Sequence, residues 1–239
     1  MKPEQVRDWV RAARRIVVLS GAGMSAESGV PTFRDAQTGL WAKFRPEELA
    51  TEEAFRARPE MVWDWYAERR AAVAKVEPNA GHRAIAAFQQ RHPGRLTVVT
   101  QNVDGLHQRA GSPGVLALHG SITQDQWLDA PRTCCNSADP QAGRPPRCAA
   151  CGNLRRPAVV WFGEMLPAHE LAAAQAAAAG CDLMLVVGTS GAVYPAAGLA
   201  RATQGRVVVL NPRASDLDDA ADAVLRGTAA VLLPLLLQD

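Results

Sequence analysis

Residues 96–120 read LTVVTQNVDGLHQRAGSPGVLALHG, and the fold turns on how that stretch is parsed. Leu96–Thr100 is a short β-branched run, the pattern of a buried strand. Gln101, Asn102 and Asp104 stand where that strand ends. A second apolar run, Val115–Leu118, ends on His119 and Gly120. In an open parallel sheet, ligands bind beyond the carboxyl ends of the strands. The parse therefore predicts an amide pair, a carboxylate and an imidazole at one sheet edge. Asn102 and Asp104 also suit the capping of the helix that follows. His107, inside that helix, reads as a packed or capping side chain. Gly120 lets the backbone turn away after His119.

Upstream, Ile16–Ser20 reads as another buried strand and leads into GAGMSAESGVPTFR (21–34). Gly21, Gly23 and Ala26 match the G-x-G-x-x-A form, in which glycines let backbone amides approach a pyrophosphate. An ordinary Gly-rich turn fits so short a pattern equally well. Ser28, Gly29 and Pro31 would interrupt a long helix, so a loop follows. It carries Arg34, suited to neutralising phosphate, and Phe33, which packing alone would also explain. Downstream, Leu183–Val187 ends in GTSGAVYPA (188–196), and Arg206–Leu210 ends at Asn211. Ala158–Phe162 (AVVWF) reads as one more strand, ending in Gly163 and Glu164. Helical stretches lie between, including the Ala-rich run 171–180, read as stopped by Gly180. Strands alternating with helices predict an α/β fold with a doubly wound parallel sheet. Its ligand edge would collect Gly21, Gln101, His119, Gly188, Thr189, Ser190 and Asn211.

Two segments depart from that alternation. Residues 40–78 read as a smaller helical layer rich in aromatics: Trp41, Phe44, Phe55, Trp63, Trp65 and Tyr66. Tyr66 and Arg69 share one helix face at i, i+3, although Arg69 beside Arg70 ordinarily marks a solvated face. Asn79 is placed to cap the next helix, with Ile85 and Phe88 as its apolar stripe and His82 structural. Residues 121–156 shift in composition to Pro, Arg, Cys and Asp. CAAC (148–151) is a zinc half-site that places both thiolates on one ion. Its upstream counterpart is irregular: Cys134 and Cys135 are adjacent, and Ser137 stands where a CxxC partner of Cys134 would be. Two readings stand: a zinc-ribbon-like site of Cys134, Cys135, Cys148 and Cys151, or a degenerate, metal-free one. Cys181 reads as an inert packed thiol.

The 239 residues are 48% apolar and 21% charged with net charge +2. That fits a soluble globular chain and gives no basic field for nucleic acid. MKPEQVRDWVRAARR is an amphipathic helix and not a signal peptide. Ala229–Leu237 is too short to span a bilayer and contains Pro234. The expectation is one cytoplasmic catalytic domain over 1–239, without membrane or nucleic-acid partners.

Taken together, GAGMSAESGVPTFR, TQNVDGLHQRAG, LHG, the cysteine-rich insert, VVWFGE and GTSGAVYP resemble the sirtuins, the NAD-dependent protein lysine deacylases. The resemblance covers nearly the whole chain. It implies a Rossmann-like NAD-binding domain. NAD would be held by Gly21, Ala22, Gly23, Met24, Ser25, Glu27, Thr32, Phe33, Arg34 and Trp41. Gln101, Asn102, Val103 and Asp104 would take the nicotinamide ribose and carboxamide. Gly188, Thr189 and Ser190 would continue the site, with Asn211, Pro212, Arg213 and Ala229 at the adenosine end. His119 would be the general base on the ribose hydroxyls, a task that suits an imidazole's pKa. Val160, Trp161, Phe162, Gly163 and Glu164 would pair with an acyl-lysine peptide bound as an extended strand. Zinc would be structural, and the products would be lysine, nicotinamide and O-acyl-ADP-ribose. PTFR (31–34), LATEEAF (49–55) and WYAERR (65–70) resemble the class III branch, in which Ala54, Tyr66 and Arg69 would line a widened pocket for succinyl or malonyl groups. Three other readings bear on the same residues. An oxidoreductase would want an acidic ribose ligand that the helical Glu47 and Glu48 do not supply. A protein ADP-ribosyltransferase would use the same NAD site. A non-catalytic NAD-sensing module would not need a base such as His119.

Overall fold

The computed structural model describes residues 2–31, 46–136 and 142–238. Thr32, Phe33, Arg34, Trp41, Phe44 and Ser137 lie outside them. In chain order the elements are α1 (Pro3–Ala12), β1 (Ile16–Ser20), α2 (Pro46–Leu49), α3 (Glu52–Ala57), α4 (Pro59–Ala74), α5 (Ala80–Arg91) and β2 (Leu96–Thr100). Then come α6 (Leu106–Arg109), β3 (Leu116–Ala117), β4 (Gly120–Trp127), α7 (Thr133–Asn136) and β5 (Arg155–Val159). The chain closes with α8 (Ala168–Gly180), β6 (Leu183–Val187), α9 (Ala196–Ala202), β7 (Arg206–Leu210), β8 (Ala223–Leu225) and α10 (Ala229–Leu237).

Six of the strands form one parallel sheet in the order β3-β2-β1-β6-β7-β8. Four of the expected strands, β1, β2, β6 and β7, have the bounds read from their apolar runs, while the Val115–Leu118 run shortens to Leu116–Ala117. Period-two alternation sends their side chains into two cores. Ile16, Val18, Val98, Leu185 and Val208 face one core with side chains from α1, α5 and α10. Val17, Leu19, Val99, Val186 and Val209 face the other, with α8 and α9. Helices on both faces explain why these strands are apolar throughout. The fold is the expected doubly wound α/β sheet. Its register aligns Thr100, Ser20, Val187 and Leu210 in one row, so the residues after them share one edge.

A third core belongs to the small helical layer. Phe55, Val62, Trp65, Tyr66 and Val73 pack with Ile122, Val159 and Trp161. Ion pairs join this layer to the insert: Arg56 to Asp129 at 2.5 Å, Arg144 to Asp64 at 2.7 Å, and Arg70 to Asp125. Arg70 also donates to the Ile122 carbonyl, so it is not the solvated charge its spacing suggests. Among the described residues no helix is long and apolar enough to cross a membrane.

Two expectations change. The strand read over Ala158–Phe162 lies instead at Arg155–Val159, in a separate antiparallel pair with β4. Beyond Val159 the backbone leaves that ladder: the Val160, Trp161 and Phe162 amides donate to the His119 carbonyl, the Glu164 carboxylate and the Ala50 carbonyl. The pair runs from Gly120 to Val159 around the expected insert. Gly120 (φ +76°) sits so tightly on β5 that a Cβ would lie 2.2 Å from the Ala158 carbonyl oxygen. Finally, Gly180 is the last residue of α8 and not left-handed; the chain exits through an extended Cys181. β4 and β8 add to the strands read from the sequence.

Candidate functional site

The sheet order reverses between β1 and β6, the topological switch point where ligands of such sheets bind. There the loops after the two strands interlock. The Gly21 amide donates to the Val187 carbonyl at 2.9 Å, and the Gly23 amide to the Gly188 carbonyl at 2.8 Å. A Cβ on Gly23 would lie 2.8 Å from Gly188 Cα. One on Gly188, where φ is +61°, would lie 2.4 Å from the Met24 nitrogen. Loop-on-loop packing by itself requires glycine at these positions. The Met24 and Ser25 amides are likewise spent, on Gly21 and Ala22 carbonyls. Among the described residues the Ala22 amide has no acceptor. The Met24 side chain is buried in the core. The Glu27 carboxylate accepts the Ala230 amide at 3.0 Å, capping α10 beside Ala229.

Buried hydroxyls on this edge test whether a dinucleotide fits. Ser28 Oγ, in the β1 loop, and Thr228 Oγ1, after β8, have no partner among the described residues. Buried donors seldom stay unpaired, and ribose or phosphate oxygens would pair them. Gln101 Nε2 donates to Thr189 Oγ1 at 3.3 Å, and Asn211 Nδ2 to the Thr189 carbonyl at 2.9 Å. The β2, β6 and β7 loops are thereby tied together. Ser190, Pro212 and Arg213 are exposed along the same edge.

Ser25 is the hub of a buried polar cluster. Its hydroxyl donates to Asp104 Oδ2 at 2.7 Å and accepts from Asn102 Nδ2 at 3.2 Å. His82 Nε2 lies 3.5 Å away. Because His82 Nδ1 accepts the Asn79 amide, the neutral ring carries its proton on Nε2, facing Ser25. Burial holds His82 down at about 3. Burial also raises the Asp104 carboxyl, against the lowering effect of its bonds from the Leu106 amide and Ser25. The Leu106 bond, at 2.8 Å, makes Asp104 the anticipated cap of α6. Beneath, Ser20 Oγ bridges Thr100 Oγ1 at 2.8 Å and His107 Nε2 at 2.9 Å. Sequence reasoning assigned His82 and His107 to packing; their rings meet edge-on at 4.8 Å under the site. Nothing local distinguishes them from other core histidines. Val103 packs toward the helical layer.

His119 Nδ1 lies 3.0 Å from the Gln101 carbonyl oxygen. A carbonyl only accepts, so Nδ1 carries the proton and Nε2 is left as a bare base. Burial lowers its pKa, against the raising effect of that bond. The ring is therefore neutral at pH 7, fixed in tautomer, and at the edge that sequence predicted.

A model of the Sir2 family matches residues 21–195. An NAD-dependent protein deacylase of Ralstonia nicotianae is 58% identical over 238 residues, 98% of this chain and 96% of that protein. The chain belongs to the Sir2 family. A solved Sir2 homologue in complex with NAD is 42% identical with a TM-score of 0.87, over 98% of this chain and 92% of that one. A substituted Sir2 with a deacetylated p53 peptide and 3′-O-acetyl-ADP-ribose is 30% identical with a TM-score of 0.85, over 99% and 97%.

In this Sir2 chain the residues expected at the acyl end meet in the small core. Thr51 Oγ1 accepts the Ala54 amide at 3.1 Å, capping α3 and burying Ala54. Tyr66 is buried, and burial pushes its phenol up to about 12. Arg69 is half-buried with its guanidinium 5.0 Å from the Trp65 ring centre, and burial lowers its pKa. The solvated-face reading of Arg69 is therefore set aside. Along 160–164, the amides of Val160, Trp161, Phe162 and Glu164 are spent inside the fold. Among the described residues, the Gly163 amide alone of these five remains for a peptide, beside the segment's carbonyls. Phe162 is 48% exposed and Met165 89%, which leaves an apolar wall there.

The Sγ atoms of Cys134, Cys135, Cys148 and Cys151 all lie within 4.8 Å of one another. Cys135 and Cys151 are 3.6 Å apart, close to the roughly 3.8 Å edge of a tetrahedron of Zn–S bonds. The Cys151 and Ala150 amides hold the Cys148 thiol down at about 7, favouring the thiolate a metal needs. The donor set fits zinc, and the adjacent pair on α7 takes part in it. Cys181 is buried apart, its Sγ 3.2 Å from Thr203 Oγ1, with burial raising its thiol.

Proposed function

We propose that this chain is an NAD-dependent protein lysine deacylase that removes succinyl and malonyl groups in preference to acetyl. Family membership and the printed activity of the Ralstonia relative support the deacylase reading. Neighbouring Sir2 structures with NAD and with a deacetylated peptide support the two substrates. NAD bound at the carboxyl edge supplies an electrophilic ribose C1′ with nicotinamide as leaving group. Gln101, Asn102 and Asp104 orient the ribose. His119 Nε2 takes a proton from a ribose hydroxyl, and the Gln101 carbonyl holds the imidazole for that task. The acyl-lysine segment lies extended along 160–164. The four cysteines hold a structural zinc ion that orders the insert.

The observation that carries the acyl preference is a half-buried guanidinium, Arg69, three residues from a phenol, Tyr66, whose burial keeps it protonated. An acyl carboxylate would be costly to bury unpaired, and Arg69 meets it with charge-assisted hydrogen bonds. The test is mass analysis after mixing the protein with NAD and acetyl-, malonyl- or succinyl-lysine peptide. Nicotinamide with O-succinyl-ADP-ribose, formed faster than the acetyl product and lost in H119A, is the expected result. ADP-ribosylated protein instead, or no NAD consumption with any peptide, refutes the reading.

A further inference from the structure

Tyr66 has one hydroxyl proton and two lone pairs. Trp161 Nε1, which can only donate, lies 3.0 Å from the Tyr66 oxygen. One lone pair is thereby taken, and the phenolic proton is directed elsewhere. Among the described residues it has no acceptor. Arg69, one helical turn on, contributes donors only. Phe55, Val62, Trp65 and Val159 share the core in which Tyr66 is buried. A phenolic proton directed away from the indole calls for an acceptor, and on the reading above an acyl carboxylate supplies one.

The indole that sets this arrangement is itself held firmly. Its ring centre lies 5.2 Å from that of Phe55 and 3.4 Å from the Arg156 guanidinium carbon. Arg156 is almost fully buried and anchored to the Glu164 carboxylate and to the Val159 carbonyl at 2.6 Å. Glu164 in turn accepts the Trp161 amide at 2.7 Å. Backbone and ring of Trp161 are thus fixed by one ion pair. Burial works to raise the Glu164 carboxyl, but Arg156 and the Trp161 amide outweigh it and hold it low.

We propose that Trp161 is a positioning residue for acyl choice: its indole N–H occupies a lone pair of Tyr66 and so aims the phenolic proton at the carboxylate of an acidic acyl group. The inference rests on the reading of the preceding subsection and deepens it. Loss of the indole donor frees the hydroxyl to rotate and leaves a buried lone pair unpaired.

The experiment uses the full chain with NAD and matched succinyl- and acetyl-lysine peptides. In W161F the succinyl-to-acetyl ratio of kcat/KM falls roughly fivefold, the scale of one neutral hydrogen bond, through KM for the succinyl peptide. In a Y66F background the same change leaves the ratio where Y66F has put it. If W161F folds poorly by thermal melting, benzothienylalanine at position 161 keeps the ring shape and lacks only the donor. Equal losses on both peptides, or a W161F effect undiminished in Y66F, overturn the positioning role. A ratio that the change leaves intact in a succinyl-preferring protein overturns that role alone. No succinyl preference in the unsubstituted chain removes the underlying reading as well.

Discussion

Replacing Arg69 by methionine removes a guanidinium and keeps a side chain of similar reach. Its consequence for acidic acyl groups follows from where Arg69 sits. The residue is half-buried over Trp65, beside an apolar core, so water cannot fully take its place. A hydrogen bond to a charged group is worth about 1.5–3 kcal/mol. Leaving a buried charge unpaired costs about 3–5 kcal/mol. Because Arg69 keeps some exposure, the lower end applies, about 3 kcal/mol, or roughly two orders of magnitude in kcat/KM. The acetyl group makes no such contact, so the succinyl-to-acetyl ratio carries nearly the whole loss. R69K keeps the charge without the planar fork and should lose roughly tenfold. The assay is initial-rate nicotinamide release with both peptides at pH 7.5 and fixed salt, with a thermal melt of each variant. A fall by the same factor on both peptides would make Arg69 a structural residue. No fall on either would show that Arg69 meets no acyl carboxylate.

The cysteine cluster predicts about one equivalent of zinc per chain; a chelator, or C134S and C135S separately, should release it and lower the melting temperature, since binding and folding are coupled. Full activity and an unchanged melt in metal-free protein would show the site to be degenerate. G188A should cost about 3 kcal/mol or more, since its Cβ would fall 2.4 Å from the Met24 nitrogen at a left-handed position. Thermal melting and NAD titration check it, and a native melt would refute the interlock. His82 and His107 sit at about 3 and about 4, below the ordinary 6.5 of an exposed imidazole. Folded pKa values lower than unfolded ones mean that the unfolded chain takes up protons first as pH falls. The stability they contribute is therefore complete above pH 6.5 and is lost from there down toward pH 4 and 3, at about 1.4 kcal/mol per histidine for each pH unit. Urea titrations from pH 7 to 4 should show that slope, shallower in H82N; equal slopes would refute it.

The sequence by itself determined the layered sheet and its ligand edge. Uninterrupted β-branched runs mark strands covered on both faces, and that signal is local, so Ile16–Ser20, Leu96–Thr100, Leu183–Val187 and Arg206–Leu210 were bounded correctly. Polar residues placed directly after those runs had to fall on one edge once the strands aligned, which is why Gln101, His119, Thr189 and Asn211 were legible as a group. Other features arise from contacts between segments far apart in the chain, and no local period encodes them. Whether Gly188 serves a phosphate or Met24 depends on which loops the switch point presses together. The AVVWF run has strand composition, but its amides are claimed by His119, Ala50 and Glu164, and so it ends a hairpin outside the parallel sheet. Adjacent Cys134 and Cys135 look wrong for a metal until α7 turns both toward Cys148 and Cys151. The tie between Tyr66 and Trp161 spans 95 residues. Only the packing of the helical layer on the end of β5 decides that an indole proton meets that phenol, and with it which way the phenol's own proton points.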